Sequence, residues 1–278
     1  MYNFENNYFS YGIVQGRLTV SKELQRFPQE NWQQEFVAAK NLKLNFIEWL
    51  TEREYNQSNP IWSDSGRKLI KEISAIHNLQ IYSVCSDYVI NHSLFNDEDK
   101  SVFKHVKSLC EASHKIDCKV LVLPLLEKSN LTKETSELLK KPILEIANIA
   151  NDLDMVVSIE SLMKSDELIV FLENLNWSNI KVVFDTGNSA LISDNLNNEI
   201  ISLKNYINHI HIKDRDIYEN NVLLGTGMVN FKDIFITLQS INYKGPIVFE
   251  TNRGNDPIRT VKHNIDICNF FYYDALNA

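Results

Sequence analysis

No apolar run in the sequence approaches the roughly 20 residues a helix needs to cross a bilayer, which excludes a helical membrane span. Cysteine is scarce: Cys85, Cys110, Cys118 and Cys268 form no C-x-x-C pair. A thiolate-based structural zinc site is therefore excluded, and free, mostly buried thiols in a reducing compartment are expected. No run of Lys or Arg is present, and 28 basic against 36 acidic residues leave a formal charge of −8. A chain of that charge repels nucleic acid and anionic membrane as a whole. The opening MYNFENNYFSYG has neither a basic start nor an apolar stretch, so a signal peptide is not expected and the expected compartment is the cytoplasm. No stretch rich in Pro, Gly or Ser divides the 278 residues, and no short repeat is visible. Gln15-Gly16-Arg17-Leu18 is not the G-x-G-x-x-G turn of a dinucleotide-binding sheet.

What is present is a regular alternation. Apolar runs with strand character fall near 11–15, 44–49, 80–85, 119–123, 155–160, 181–185, 207–213 and 246–250. Between and after them, segments of helical spacing read as helices near 30–42, 63–78, 97–116, 132–153, 165–175, 196–205, 231–241 and 257–271. A kink or break is expected near Pro142, because proline lacks the N–H a helix needs. Residues 86–95 read as a loop able to cover one end of the sheet. Residues 220–229 read as a hairpin or loop turning at Gly225 and Gly227. Strict alternation implies a parallel sheet. Eight units in this length imply one α/β domain over 1–278, a closed (β/α)8 TIM barrel with its chemistry at the carboxyl ends of the strands.

The stretch INHIHIKDRD, 207–216, begins as a strand and ends in a cluster of charged groups. Alternation places Ile207, His209, His211 and Lys213 on one face and Asn208, Ile210 and Ile212 on the other. The strands near 155–160, 181–185 and 246–250 stop on Glu160, Asp185 and Glu250. Four successive strands that each deliver a metal-competent group predict a single divalent ion held by Glu160, Asp185, His211 and Glu250. Three carboxylates and one imidazole suit Mn²⁺ or Mg²⁺ and accept Co²⁺ or Zn²⁺. His209 reads as a core residue or as support for His211.

These strand ends, I-E-S, F-D-T-G-N, H-I-H-I-K-D-R and F-E-T-N-R, with Q-G-R-L after the first strand, resemble the xylose isomerase-like superfamily. More narrowly they resemble its sugar phosphate isomerase/epimerase and ketose 3-epimerase members, over the whole chain. The resemblance implies that Glu160, Asp185, His211 and Glu250 ligate the metal and that Glu160 and Glu250 form an acid/base pair. It implies that Arg215 contacts substrate hydroxyls. Asn188 falls where many relatives carry a substrate-contacting histidine. Homodimers or homotetramers are further expectations for barrels of this kind.

A metal-dependent isomerase or epimerase removes a proton from carbon beside a carbonyl, and the developing oxyanion needs a positive partner. Glu160 and Glu250, on strands three steps apart, are expected to face each other across a sugar or sugar phosphate, which favours inversion. Arg17 and Arg253 are candidates to hold a substrate phosphate or carboxylate, or to pair inside the barrel with Glu48, itself a candidate substrate contact. Lys213 is expected to neutralise Asp214 or a substrate oxyanion, or to stand in a simple salt bridge of the kind common at barrel mouths. Phe9, Trp49 and Tyr88 are candidate pocket walls. The competing functions are a lyase dehydrating a keto-inositol, an apurinic endonuclease-like phosphodiesterase, and a binding protein without catalysis.

Overall fold

β-branched and aromatic residues fill eight short runs, and nothing in them favours a helix over a half-buried pleat. The computed structural model describes residues 9–21, 23–98 and 100–276, so residues 1–8 of the opening segment lie outside the described residues. The runs form the parallel strands β1 (Tyr11–Val14), β2 (Phe46–Thr51), β3 (Gln80–Ser86), β4 (Val120–Pro124), β5 (Val156–Glu160), β6 (Ile180–Asp185), β7 (Ile207–Ile212) and β10 (Ile247–Phe249). Each pairs with its neighbours in the chain, and β1 closes on β10 to complete the barrel. Two short strands, β8 (Asp214–Arg215) and β9 (Asn221–Val222), form a separate antiparallel pair after β7.

The helices are α1 (Trp32–Asn41), α2 (Asp64–His77), α3 (Tyr88–Asn91), α4 (Ser101–Lys115), α5 (Ser136–Asp152), α6 (Ser165–Leu175), α7 (Thr186–Ala190), α8 (Leu196–Leu203), α9 (Phe231–Ser240) and α10 (Pro257–Leu276). None of them is long and apolar enough to cross a membrane. The main core lies between strands and helices, where Ile47, Leu121, Val157 and Phe249 meet Phe36, Leu109, Ile146 and Phe235. Each such side chain contributes about 1.5–3 kcal/mol on burial. The opposite parity of each strand fills the barrel itself. Val14, Phe46 and Val248 plug one level, and Leu50, Cys85, Val120, Val122 and Val183 form another. Gly12 is required there, because a Cβ at that position would lie 1.9 Å from the Phe46 ring.

Three local expectations are corrected. α5 runs through Pro142 without a break. Proline deprives only the carbonyl of Leu138, and Leu138 is 57% exposed, so water reaches it, while Leu139, Ile143, Ile146 and Ala150 bury the opposite face. Residues 86–95 contain α3 rather than an unbroken loop. Of the two readings of 220–229, the loop holds from residue 223 on, and the hairpin lies earlier, at 214–222: Asp214 pairs with Val222 and Arg215 with Asn221, around a turn in which Asp216 accepts the N–H groups of Tyr218 and Asn220. The segment holding Gly225 and Gly227 instead wraps the Asp214 carboxylate, which accepts N–H groups from Gly225, Gly227 and Val229 at 2.9, 2.9 and 3.1 Å.

Strict alternation also fails at two places. Register shifts skip Tyr82 in the β2–β3 pairing and Asn208 in the β6–β7 pairing. A bulge lets two successive side chains point the same way. Asn208, expected on the outer face, therefore reaches inward, with its Nδ2 donating to Ser158 Oγ at 2.8 Å and its Oδ1 accepting from Tyr82 Oη at 3.2 Å.

Candidate metal centre and active site

Glu160 ends β5, Asp185 ends β6, His211 lies one residue before the end of β7, and Glu250 follows β10. These strands are neighbours in the order β5–β6–β7–β10, so four residues spread over ninety positions converge. One ligand atom from each of Glu160, Asp185, His211 and Glu250 lies within 4.8 Å of the others. Asp185 also caps α7, accepting the Asn188 N–H through Oδ1 at 2.6 Å, which leaves Oδ2 directed at the cluster. Thr186 ties the ends of β6 and β7 together, donating to the Lys213 carbonyl at 2.6 Å and accepting the Lys213 N–H at 2.9 Å.

Lys213 does not neutralise Asp214. Its Nζ sits 2.9 Å from Asp185 Oδ2 and 3.0 Å from Glu250 Oε2, because its side chain points into the barrel while Asp214 is wrapped by backbone N–H groups. Burial, then Glu250, pushes Glu160 up to about 8. Burial likewise raises Asp185. Glu250 is buried too, but Lys213 and the hydrogen bond from His211 outweigh that penalty and hold it well below the usual carboxylate range. Neighbouring carboxylates are thus forced apart, as expected where like charges share a low-dielectric site. Three carboxylates and an imidazole meet here, compensated in the absence of an ion by Lys213, by Arg17 and by protons held on the cluster itself. An oxygen-rich donor set that must otherwise hold protons fits a hard divalent cation.

Asn188 and Arg215 join the same centre. Asn188 donates through Nδ2 to Glu160 Oε1 at 2.6 Å and accepts from Arg215 Nη2 at 2.8 Å, so it couples the guanidinium to the carboxylate. Arg215 also donates to the Glu219 carbonyl at 2.8 Å.

Arg17 and Arg253 do not present an anion clamp. Arg17 donates to the Leu24 carbonyl and, at 2.5 Å, to Gln25 Oε1, and lies 3.5 Å from Glu250 Oε1. Its interior partner is therefore Glu250 rather than Glu48. Arg253 donates to the Ser21 and Leu24 carbonyls, each at 2.7 Å, and to the Glu23 carbonyl. Together the two arginines bind Ser21, Glu23, Leu24 and Gln25 beside the carboxyl end of β1. Glu35 of α1 supports the same loop, accepting from Gly16 N, Leu18 N and Thr19 Oγ1 at 2.8, 3.0 and 3.0 Å. The sequence reading missed this role, which a lone acid on a helix does not announce.

Burial raises Glu35 from 4.5 to about 7. The native state therefore holds a proton where the unfolded chain has lost it. The corresponding stability is present below pH 4.5 and is lost as pH rises to about 7. Glu35→Gln is expected to flatten that fall relative to the unsubstituted protein, as measured by urea unfolding at several pH values; identical slopes would count against the assignment.

Glu48 is buried inside the barrel among Ser83, His209 and His211. The proposed walls are packing residues. Phe9 precedes β1 and meets Tyr11, Phe235, Tyr243 and Tyr272 at the far end. Trp49 faces Phe27 and Trp32 and donates to Asn59. Tyr88 is sandwiched between His92 and His105 at 3.9 and 3.8 Å.

Closed (β/α)8 barrels carry their chemistry at the carboxyl ends of the strands, and the acidic cluster occupies that position. The chain belongs to the xylose isomerase-like TIM barrel family, whose model matches residues 36–274. It is 28% identical over 120 residues to a ketose 3-epimerase of Arthrobacter globiformis, covering 40% of either chain. It is 23% identical over 228 residues to an inosose dehydratase of Clostridium tetani, covering 69% of this chain and 75% of that one. Its fold resembles that of D-psicose 3-epimerase from Clostridium cellulolyticum H10, solved with D-tagatose, at a TM-score of 0.73 and 15% identity over 95% of this chain and 99% of the other.

Proposed function

We propose that the protein is a divalent metal-dependent epimerase or isomerase of an uncharged sugar, in which Glu160 and Glu250 exchange a proton with carbon beside a carbonyl. The observation that carries this reading is the convergence of Glu160, Asp185, His211 and Glu250 at the carboxyl ends of adjacent strands. Those four residues would hold Mn²⁺ or Mg²⁺. When bound, such an ion supplies positive charge beside a substrate oxygen as the neighbouring carbon loses its proton. Glu160 and Glu250 stand three strands apart around the barrel, so one removes the proton and the other returns it from the opposite face. Asn188 holds Glu160 directly, and Arg215 holds Asn188.

The surrounding cations support an uncharged substrate over a phosphorylated one. Phosphate binding by arginine takes forked pairs of N–H donors. The Nη groups of Arg17, Arg215 and Arg253 are engaged by carbonyls, Gln25 and Asn188, which leaves each guanidinium its Nε–H but no free pair of Nη donors, and Lys213 is engaged by Asp185 and Glu250. A phosphodiesterase reading is disfavoured too, since both polar atoms of the Asn188 amide already have partners.

The longer similarity to inosose dehydratase keeps one second reading, loss of water from a keto-inositol through the same proton abstraction. The test is NMR in D₂O with the chelated and then Mn²⁺- or Mg²⁺-loaded protein, over ketoses, ketose phosphates and keto-inositols. Metal-dependent deuterium uptake into a free ketose is expected. Uptake confined to phosphates would overturn the uncharged substrate, and water loss from keto-inositols alone would select the lyase.

A further inference from the structure

Below the acidic cluster is a second polar tier that the proposed proton transfer does not use. Glu48, 1% exposed, lies on the inner face of β2. His211 stands between the tiers. Its Nδ1 is 3.1 Å from Glu250 Oε2 and 3.9 Å from Asp185 Oδ2, while its Nε2 is 3.2 and 3.3 Å from the two oxygens of Glu48.

We propose that Glu48 is a positioning residue: it receives the Nε2–H of His211, so that in the metal-loaded protein the Nδ1 lone pair faces the ion the three carboxylates would share, whereas without metal Nδ1 keeps its proton and donates it to Glu250. The proposal rests on the reading of Glu160, Asp185, His211 and Glu250 as metal ligands. A neutral imidazole has one N–H and one lone pair, and the partner of the N–H decides which nitrogen binds a cation. Glu48 is the buried acceptor within reach of Nε2, and an ionised carboxylate only accepts.

The carboxylate is itself held. Ser83 Oγ donates to Glu48 Oε2 at 2.6 Å, and His209 Nε2 lies 3.4 Å from the same oxygen. Ser83 and His209 each follow a skipped residue, Tyr82 and Asn208, and those two residues are hydrogen-bonded to each other across the barrel at 3.2 Å. The paired bulges thus turn inward both Ser83, which donates to Glu48, and His209, which lies beside it. Regular pleating would aim Ser83 away from the side that carries Tyr82.

Glu48, His209 and His211 could alternatively bind an ion themselves, since their ligand atoms also lie within 4.8 Å of one another. That arrangement would require Nε2 of His211 as the ligand, the reverse of the proposed tautomer.

Two measurements test the proposal. In ¹⁵N-histidine-labelled protein loaded with ¹¹³Cd²⁺, His211 should show cadmium coupling at Nδ1 and a protected proton on Nε2. Cadmium coupling at Nε2 would overturn the proposal. Titration with Mn²⁺, followed by the paramagnetic resonance of the free ion, should show Glu48→Leu binding about 10–100-fold more weakly than the unsubstituted protein. Glu48→Gln, whose amide oxygen still accepts, should lie between the two. Asp185→Asn serves as the control for the ligand set. If it loses Mn²⁺ while both Glu48 variants bind as tightly as the parent, the positioning role fails and the ligand reading stands. If Asp185→Asn binds Mn²⁺ undiminished, the ligand reading itself fails. The coupling measurement needs no variant, so misfolding of Glu48→Leu would not spare the proposal.

Discussion

Glu160→Gln and Glu250→Gln are each expected to lower kcat by about 10²–10⁴, the usual contribution of a positioned acid or base. The assay should run at saturating Mn²⁺, because each residue also belongs to the proposed ligand set and an amide weakens that set. The two substitutions should fail differently. With two bases on opposite faces, each variant keeps one base, so each should still wash a proton out of one epimer and not the other. Solvent deuterium incorporation into each pure epimer, followed by NMR, reads this directly. Undiminished exchange from both epimers in both variants would reject the two-base scheme. The opposite environments of the pair make the asymmetry chemically reasonable: burial raises Glu160 to about 8, whereas Lys213 and His211 keep Glu250 ionised.

Lys213→Met should cost the metal-free protein about 3–5 kcal/mol, the range seen when one partner of a buried ion pair is removed. Methionine keeps most of the stem volume, so the loss would be chiefly electrostatic. Asp185 and Glu250 would keep their burial and lose the ammonium that sits 2.9 and 3.0 Å away. The sign with pH follows from Glu250. Its native pKa lies below the unfolded value of 4.5, so the stability it provides is present above that pH and is lost as pH falls through the native pKa. The difference between parent and variant should therefore be largest near neutrality and narrow in acid. Added Mn²⁺ should recover part of it by returning positive charge to the carboxylates. Urea unfolding of the chelated and metal-loaded forms measures both effects, and a variant as stable as the parent would show that Lys213 is not the charge partner.

The contrast between the two groups of site residues shows what a linear reading can reach. Glu160, Asp185, His211 and Glu250 were visible because a strand of a parallel barrel ends at the active face, and each stands at or just beside the end of an apolar run. Position and chemistry coincided. Arg17, Arg253 and Glu48 had no such coincidence. A guanidinium near a strand end looks the same in sequence whether it grips a substrate anion or the carbonyls of Ser21, Glu23 and Leu24. Glu48 lies inside its strand, two residues before Leu50 of the barrel interior, and its depth depends on how β2 is staggered against its neighbours. Trp49 was misplaced for a related reason: it follows Glu48, so its parity sends it outward to Phe27 and Trp32.

Composition and periodicity were enough to specify an alternating α/β chain, its closure into eight staves, and the carboxylates and imidazole brought to one end. Those features depend on local preference and on the end of each strand, which neighbouring residues set. Which cations are free, which side chains lie one layer down, and where two bulges break the alternation were decided only when distant strands came together. Contacts such as Tyr82 with Asn208, or Asp214 with the segment from Gly225 to Val229, join residues whose partnership no local pattern encodes, because hydrogen bonding responds to distance in space and the chain records only order.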